Sequence, residues 1–217
     1  MMDTSAVDFA GTINLIDHMA VAVFAVTGAL VASRRQLDIF GFIILGTATG
    51  IGGGSIRDIL LGQLPVFWVH QSSYLIVCAV ISAVTFFTSH LLNSRFRAIL
   101  WLDALGLSLF CVLGTEKALA AGTNMIVAVL MGVISATFGG IVRDVLSAER
   151  PLILGREIYM TAALIGALAY GLALSLGLNN TLGAAIGMGC AFATRAGGLK
   201  LGWSLPVYKA RPPRPRP

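Results

Sequence analysis

The sequence predicts an all-α membrane protein: seven transmembrane helices, arranged as two inverted three-helix repeats plus a seventh helix. Three observations carry this. The 217 residues are 57% hydrophobic and only 12% charged, with a mean hydropathy of +0.86. An ordinary soluble domain carries about 25% charged residues, so too little polar surface is available to coat a globule in water. The apolar residues gather into seven long runs, and the chain resembles itself at a fixed offset.

The runs lie at 15–33, 39–61, 72–92, 98–118, 123–146, 158–177 and 181–200. Each is near the roughly 20 residues that cross about 30 Å of hydrocarbon as a helix. Short polar connections separate them, such as Ser33-Arg34-Arg35-Gln36 and Asn93-Ser94-Arg95-Phe96-Arg97. No Lys or Arg precedes the first run, which therefore does not read as a cleaved signal peptide. With the acidic N-terminus outside, Arg34, Arg35, Arg95, Arg97, Arg150, Arg156, Arg195, Lys200, Lys209, Arg211, Arg214 and Arg216 fall inside, twelve of the fifteen basic residues. The positive-inside rule thus predicts an outer N-terminus and a cytoplasmic C-terminus. Residues 204–217, ending in Arg211-Pro-Pro-Arg-Pro-Arg-Pro217, are expected to be a disordered basic tail near anionic lipid.

The self-similarity has an offset of 86 residues and needs no gap. Asp17 matches Asp103, Phe24 matches Phe110, Gly28 matches Gly114 and Gly46 matches Gly132. Gly53-Gly54 matches Gly139-Gly140, Arg57-Asp58 matches Arg143-Asp144, and Pro65 matches Pro151. Each unit holds three runs, 15–92 and 98–177. Three is odd, so the second unit enters the membrane from the opposite side, and a pseudo-twofold axis lies in the membrane plane. Many transport proteins share that architecture, with the permeation site where the repeats meet. The run at 181–200 has no counterpart and reads as a packing helix rich in small residues.

Segments two and five carry the chemistry. Gly52-Gly53-Gly54 and Gly139-Gly140 each cost about 1 kcal/mol per glycine in helix propensity, so both helices are expected to break there. Freed backbone must face protein or water, and Thr49, Ser55, Ser135 and Thr137 supply hydroxyls nearby. Isolated Gly28 and Gly166 read instead as close-packing positions. The candidate path residues are Thr49, Gly52, Gly53, Gly54, Ser55, Arg57 and Asp58, with Ser135, Thr137, Gly139, Gly140, Arg143 and Asp144. The inverted topology brings Asp17 and Arg57 to one face and Asp103 and Arg143 to the other, which predicts two symmetry-related ion pairs. Local pairing within Arg57-Asp58 and Arg143-Asp144 is the alternative, and either arrangement could clamp the structure or line a path. Glu116 and Lys117 are expected to snorkel to the interface.

Other chemistry finds no support. His18, His70 and His90 lie on different segments without metal spacing, and Cys78, Cys111 and Cys190 sit inside apolar runs as packing residues. No nucleophile–base or metal constellation appears, so neither an enzyme nor a cofactor is expected. The net charge of +5 lies in connections and the tail, without the stripe that nucleic acid requires.

The stretches Gly-Gly-Gly-Ser-Ile-Arg-Asp-Ile-Leu-Leu-Gly (52–62) with Pro65, and Phe-Gly-Gly-Ile-Val-Arg-Asp-Val-Leu (138–146) with Pro151, resemble the bacterial branch of the trimeric intracellular cation (TRIC) channel family over residues 15–200. The resemblance implies a homotrimer in the bacterial inner membrane with one ion path inside each protomer. The second and fifth helices would bend at their glycines and line it, and potassium and sodium would be the permeant ions. The runner-up is a secondary transporter for a small amino acid such as glycine, since inverted repeats and broken helices serve both.

Overall fold

The computed structural model describes residues 4–92, 94–149, 151–154 and 158–206, and these are helical almost throughout. In chain order they form α1 (Thr4–Arg34), α2 (Ile39–Leu60), the four-residue α3 (Phe67–His70), α4 (Ser73–Thr88), α5 (Arg95–Ala120), α6 (Met125–Leu146), α7 (Met160–Ser175) and α8 (Asn180–Leu201). Single 3₁₀ turns follow α4 at Ser89–Leu91 and α6 at Leu152–Leu154. Five stretches are long and apolar enough to cross a membrane: Gly11–Arg34, Ile39–Leu60, Ser73–Leu91, Arg95–Ala120 and Met125–Leu146. Helix α7 is apolar but short, at 16 residues, and α8 is not among the spans although it has 22 residues. The short α3 has no counterpart in the sequence reading. Of the tail, Ser204–Pro206 are described and exposed; residues 207–217 lie outside the described residues, as do Arg150 and Arg156.

Local signals set the helix starts. The side chains of Asp38, Ser94, Asn124 and Asn179 accept hydrogen bonds from the amides of Gly41, Arg97, Val127 and Leu182, each satisfying one of the donors that a helix start leaves free. Asp38 and Asn124 stand 86 residues apart. At the other end of α2 and α6, Leu61 and Ser147 close on the carbonyls of Arg57 and Arg143, again at that spacing.

In packing, α1 lies on α2 and α4, and α5 lies on α6 and α7, while the halves meet where α1 contacts α5 and α2 contacts α6. Lys117 Nζ, near the end of α5, reaches Asp17 in the first half of α1; Arg143, which holds Asp103 near the start of α5, reaches Thr27 in the second half of α1. The equivalent helices α1 and α5 therefore run antiparallel. Phe24 and Phe110, also equivalent, meet with ring centroids 5.2 Å apart. Helix α8 packs mainly on α5 and α7, through close approaches such as Gly187 on Gly166, and meets the start of α1 across a small cavity.

The glycine-rich helices correct an expectation. Both α2 and α6 are single continuous α-helices through their glycine clusters. The glycines serve a helix crossing. A Cβ on Gly53 would stand 2.2 Å from the carbonyl oxygen of Ser135, and a Cβ on Gly139 would stand 2.6 Å from that of Thr49. Residue 53 faces 135 and residue 139 faces 49, so each helix treats the other alike. The lost propensity is offset by a backbone-to-backbone approach no other residue permits. Gly28 and Gly166 are packing positions, the Cβ of an alanine lying 2.4 Å from Thr49 Oγ1 and 2.6 Å from Ala191 Cβ, respectively.

Gly53→Ala should force the crossing apart and lower thermal stability in detergent by about 1–3 kcal/mol. Gly189→Ala, where a Cβ meets nothing within 4 Å, should leave the melting temperature unchanged or slightly raised.

Candidate functional site

Two buried charged clusters occupy opposite ends of the helix bundle. Asp17 and Val31, which line one cavity each, stand fourteen positions apart on α1, about 21 Å at 1.5 Å of rise per residue.

At the Asp17 end, a cavity of about 220 Å³ is lined by Ile13, Asn14, Asp17, Phe67, Gln71, Tyr74 and Lys117. The Asp17 carboxylate accepts from Lys117 Nζ at 2.5 Å and from the Tyr74 hydroxyl at 2.7 Å. Lys117 Nζ also stands 5.3 Å from the centroid of the Phe67 ring, within cation–π range. His18 stacks on Tyr74 at 4.0 Å, its Nε2 3.0 Å from Ser73 Oγ. Arg57, 1% exposed, turns to its neighbour: Asp58 Oδ1 accepts from Arg57 Nε at 2.9 Å and Nη2 at 2.6 Å, while Oδ2 accepts from the Phe67 amide at 2.9 Å.

At the other end, a cavity of about 540 Å³ is lined by Val31, Arg34, Arg35, Phe96, Ile99, Arg143, Asp144, Glu149 and Leu152. Arg143 donates to Asp103 at 2.7 Å, to Asp144 at 2.8 Å and to Thr27 Oγ1 at 3.2 Å. Asp144 Oδ2 accepts from the Leu152 amide at 2.9 Å. Tyr159 lies against Asp103 and Arg143, as Tyr74 lies against Asp17. At the rim, Arg34 pairs with Glu149 at 3.2 Å, Arg35 approaches Glu149 at 3.7 Å, and Arg35 donates to the Ala148 carbonyl at 3.1 Å.

The repeated Arg-Asp pair thus ties the end of α2 or α6 to the turn that follows it. A buried guanidinium is neutralised by the adjacent carboxylate, whose second oxygen holds a loop amide. Such a unit neutralises its own charge, which is how a charge persists inside a bundle, although Arg57 Nη1 has no hydrogen-bond partner among the described residues.

The expected cross-helix pairs form at one end only. Asp103 meets Arg143, whereas Asp17 meets Lys117 and not Arg57. The reason lies in a residue with no repeat partner: Lys117 corresponds to Val31, so only the Asp17 end has a lysine within reach, and Arg57 keeps Asp58 alone. Lys117 consequently points inward, and Glu116 accepts from the Tyr170 hydroxyl; neither extends to an interface. The candidate path hydroxyls bond mostly within their own helices. Thr49, Ser55 and Thr137 donate to carbonyls of their own helices, those of Leu45, Ile51 and Val133, and Ser55 accepts from Trp68 Nε1 at 2.9 Å. Ser135 is fully buried, its hydroxyl without a partner among the described residues. Gly52 faces Val142 and Gly54 the Phe67 ring, whereas Gly140 faces the Tyr159 hydroxyl.

Tyr74, Tyr159, Phe67 and Thr27 were missed. Tyr74 and Tyr159 lie 85 residues apart, as do Phe67 and Leu152, whose amides hold the Asp pair. The register of the repeat slips by one residue after Pro65 and Pro151, so an 86-residue offset passes over them. Among the described residues no group of His, Cys, Asp and Glu is placed to hold a metal.

Asp103→Asn should cost about 1.5–3 kcal/mol of stability by removing a fully buried charge-assisted hydrogen bond to Arg143, which keeps Asp144. Asp17→Asn should cost less, because Lys117 is a quarter exposed and can turn to water. Paired thermal melts in one detergent would rank the two.

A family described as glycine transporter matches residues 14–90 and 100–175. A UPF0126 membrane protein of Vibrio cholerae is 40% identical over 199 residues, covering 89% of this chain and 82% of the relative. The UPF0126 inner membrane protein YadS of Escherichia coli K12 is 43% identical over 159 residues, covering 71% and 75%. Among solved structures, the TRIC trimeric intracellular cation channel orthologue from Rhodobacter sphaeroides superposes with a TM-score of 0.87 at 50% identity, covering 88% of this chain and 99% of that one. A prokaryotic TRIC channel crystallised in 0.5 M KCl gives 0.84 at 33% identity, with 90% and 100% covered.

Proposed function

The chain belongs to the bacterial TRIC family of membrane proteins, and we propose that it is a channel for potassium and sodium with one path inside each protomer of a homotrimer. The observation that carries this reading is the pair of cavities toward opposite ends of the helix bundle, each floored by a buried charged cluster and separated by the α2–α6 crossing. Solved relatives are described as trimeric intracellular cation channels, which supports both the cargo and the trimer.

The proposed architecture is seven spans in two inverted repeats, with an outer N-terminus and a cytoplasmic C-terminus in a bacterial inner membrane. The antiparallel course of α1 and α5 supports it, as does the reciprocity of the crossing, where Gly53 meets Ser135 and Gly139 meets Thr49. A heterologous contact between unrelated helices has no reason to repeat itself under exchange. In the proposed path, Asp17 and Lys117 stand at the outer mouth and Arg143 and Asp144 at the inner one. The crossing glycines, with Thr49, Ser135 and Thr137, form the constriction between them. The close backbone approach there supports the reading that the two helices must part for conduction.

Lys117 then has a definite role. Its ammonium occupies the carboxylate and ring face that a permeant cation would otherwise meet. A second reading, transport of glycine, is favoured by the family description and by the Asp17–Lys117 pair, which offers opposite charges to a zwitterion in about 220 Å³.

Purified protein in planar bilayers is expected to give unitary potassium currents, and Lys117→Met to raise the unitary conductance by roughly twofold or more by unmasking Asp17. Saturable uptake of labelled glycine into proteoliposomes without unitary currents would replace the channel with the transporter.

A further inference from the structure

The two mouths of the proposed path differ in one respect that the repeat does not account for. At the larger cavity, Arg34 and Arg35 from the end of α1 converge on Glu149 in the turn after α6. The equivalent positions at the other mouth, 86 residues away, are Ala120 and Ala121 for the arginines and Gln63 for the glutamate. None carries charge.

We infer that Glu149 is a conductance-determining residue: the carboxylate that makes an otherwise basic mouth passable to cations. The inference rests on the channel reading. Arg143 at the cavity floor is neutralised by Asp103 and Asp144, which are buried to 0% and 4% exposure and committed to it. Of the carboxylates lining this cavity, Asp144 and Glu149, only Glu149 is partly exposed, with 23% of its side chain accessible. It is the one a hydrated ion meets on entry. Among the described residues that line this cavity and their ion-pair partners, Arg34, Arg35 and Arg143 face Asp103, Asp144 and Glu149, three charges of each sign. Removing Glu149 shifts this set by +1, and removing Arg34 shifts it by −1. Arg95 stands beside this end as well, donating to the carbonyls of Ser89 and Ser33, and adds to the positive charge that Glu149 offsets.

A fixed charge at a water-filled mouth changes the local cation concentration by roughly twofold at a separation of several ångströms. The effect is felt when the screening length is about 30 Å, at 0.01 M salt, and vanishes when it is about 3 Å, at 1 M. It is confined to one end, so it also makes the current asymmetric.

The test is single-channel recording of full-length protein in symmetrical KCl at 10 mM and at 1 M. Glu149→Gln should lower the unitary conductance about twofold at 10 mM, more for potassium entering from the Glu149 side, and match wild type at 1 M. Arg34→Gln should raise it at 10 mM. The Arg34→Gln/Glu149→Gln double variant should return to the wild-type value, and Glu149→Asp should behave as wild type. A Glu149→Gln conductance unchanged at 10 mM would overturn the inference. So would an equal reduction at both salt concentrations, because Glu149 would then be only a tether for the turn. Wild-type protein that passes no unitary cation current would overturn the channel reading, and this inference with it.

Discussion

The absence of a side chain at Gly53 and Gly139 is the constraint on which the molecule depends. Two membrane-depth helices touch backbone to backbone there, with the carbonyl of Ser135 over one glycine and that of Thr49 over the other. In lipid no hydrophobic force drives helices together, and van der Waals contact must supply the attraction. Contact this close is available only where a Cβ is missing. The two halves are joined along α1–α5 and α2–α6, so the spacing of the whole bundle is set at this crossing. The small residues elsewhere, Gly28 against Thr49 and Gly114 against Ser135, repeat the device within each half.

The second constraint is charge. A guanidinium held at 1% exposure is tolerable when its counter-ion is covalently next door and itself anchored. Arg57-Asp58 and Arg143-Asp144 meet that condition without help from another helix, and the spare carboxylate oxygen fastens the turn that follows. The cross-helix partners are additions to this unit. Arg143 gains Asp103 and Thr27 because those residues lie above it; Arg57 gains neither, because Lys117 has already taken Asp17.

Much of this was legible in the sequence. Composition and run length gave the membrane class, and the matched positions located the helices that meet at the centre. Asp103–Arg143 and the local Arg-Asp pairs were both among the stated alternatives. What was misread followed from treating glycine as a breaker. Propensity describes an isolated helix, whereas the glycines of α2 and α6 are judged by what they let approach, and the helices stay intact. The Asp17 partner was misassigned because a repeat predicts only what repeats: Lys117 answers to Val31, and nothing at residue 31 announces the exception. Tyr74 and Tyr159 were hidden by a one-residue slip in register, which an exact offset cannot see. The short α3 escaped because four residues carry no periodicity.

Helix α8 adds an imbalance that neither half would have alone. It packs mainly on α5 and α7, touches only the start of α1, and has no equivalent on the first half. On α4, Ile76, Val80, Val84 and Phe87 remain more than half bare. The first half therefore relies on α1, α2 and α4 and on its seam with the second half, whereas the second half has a further helix packed against two of its members. Two copies of one helical unit, matched at a handful of key positions, thereby come to stand in different surroundings through a single helix that follows the second repeat.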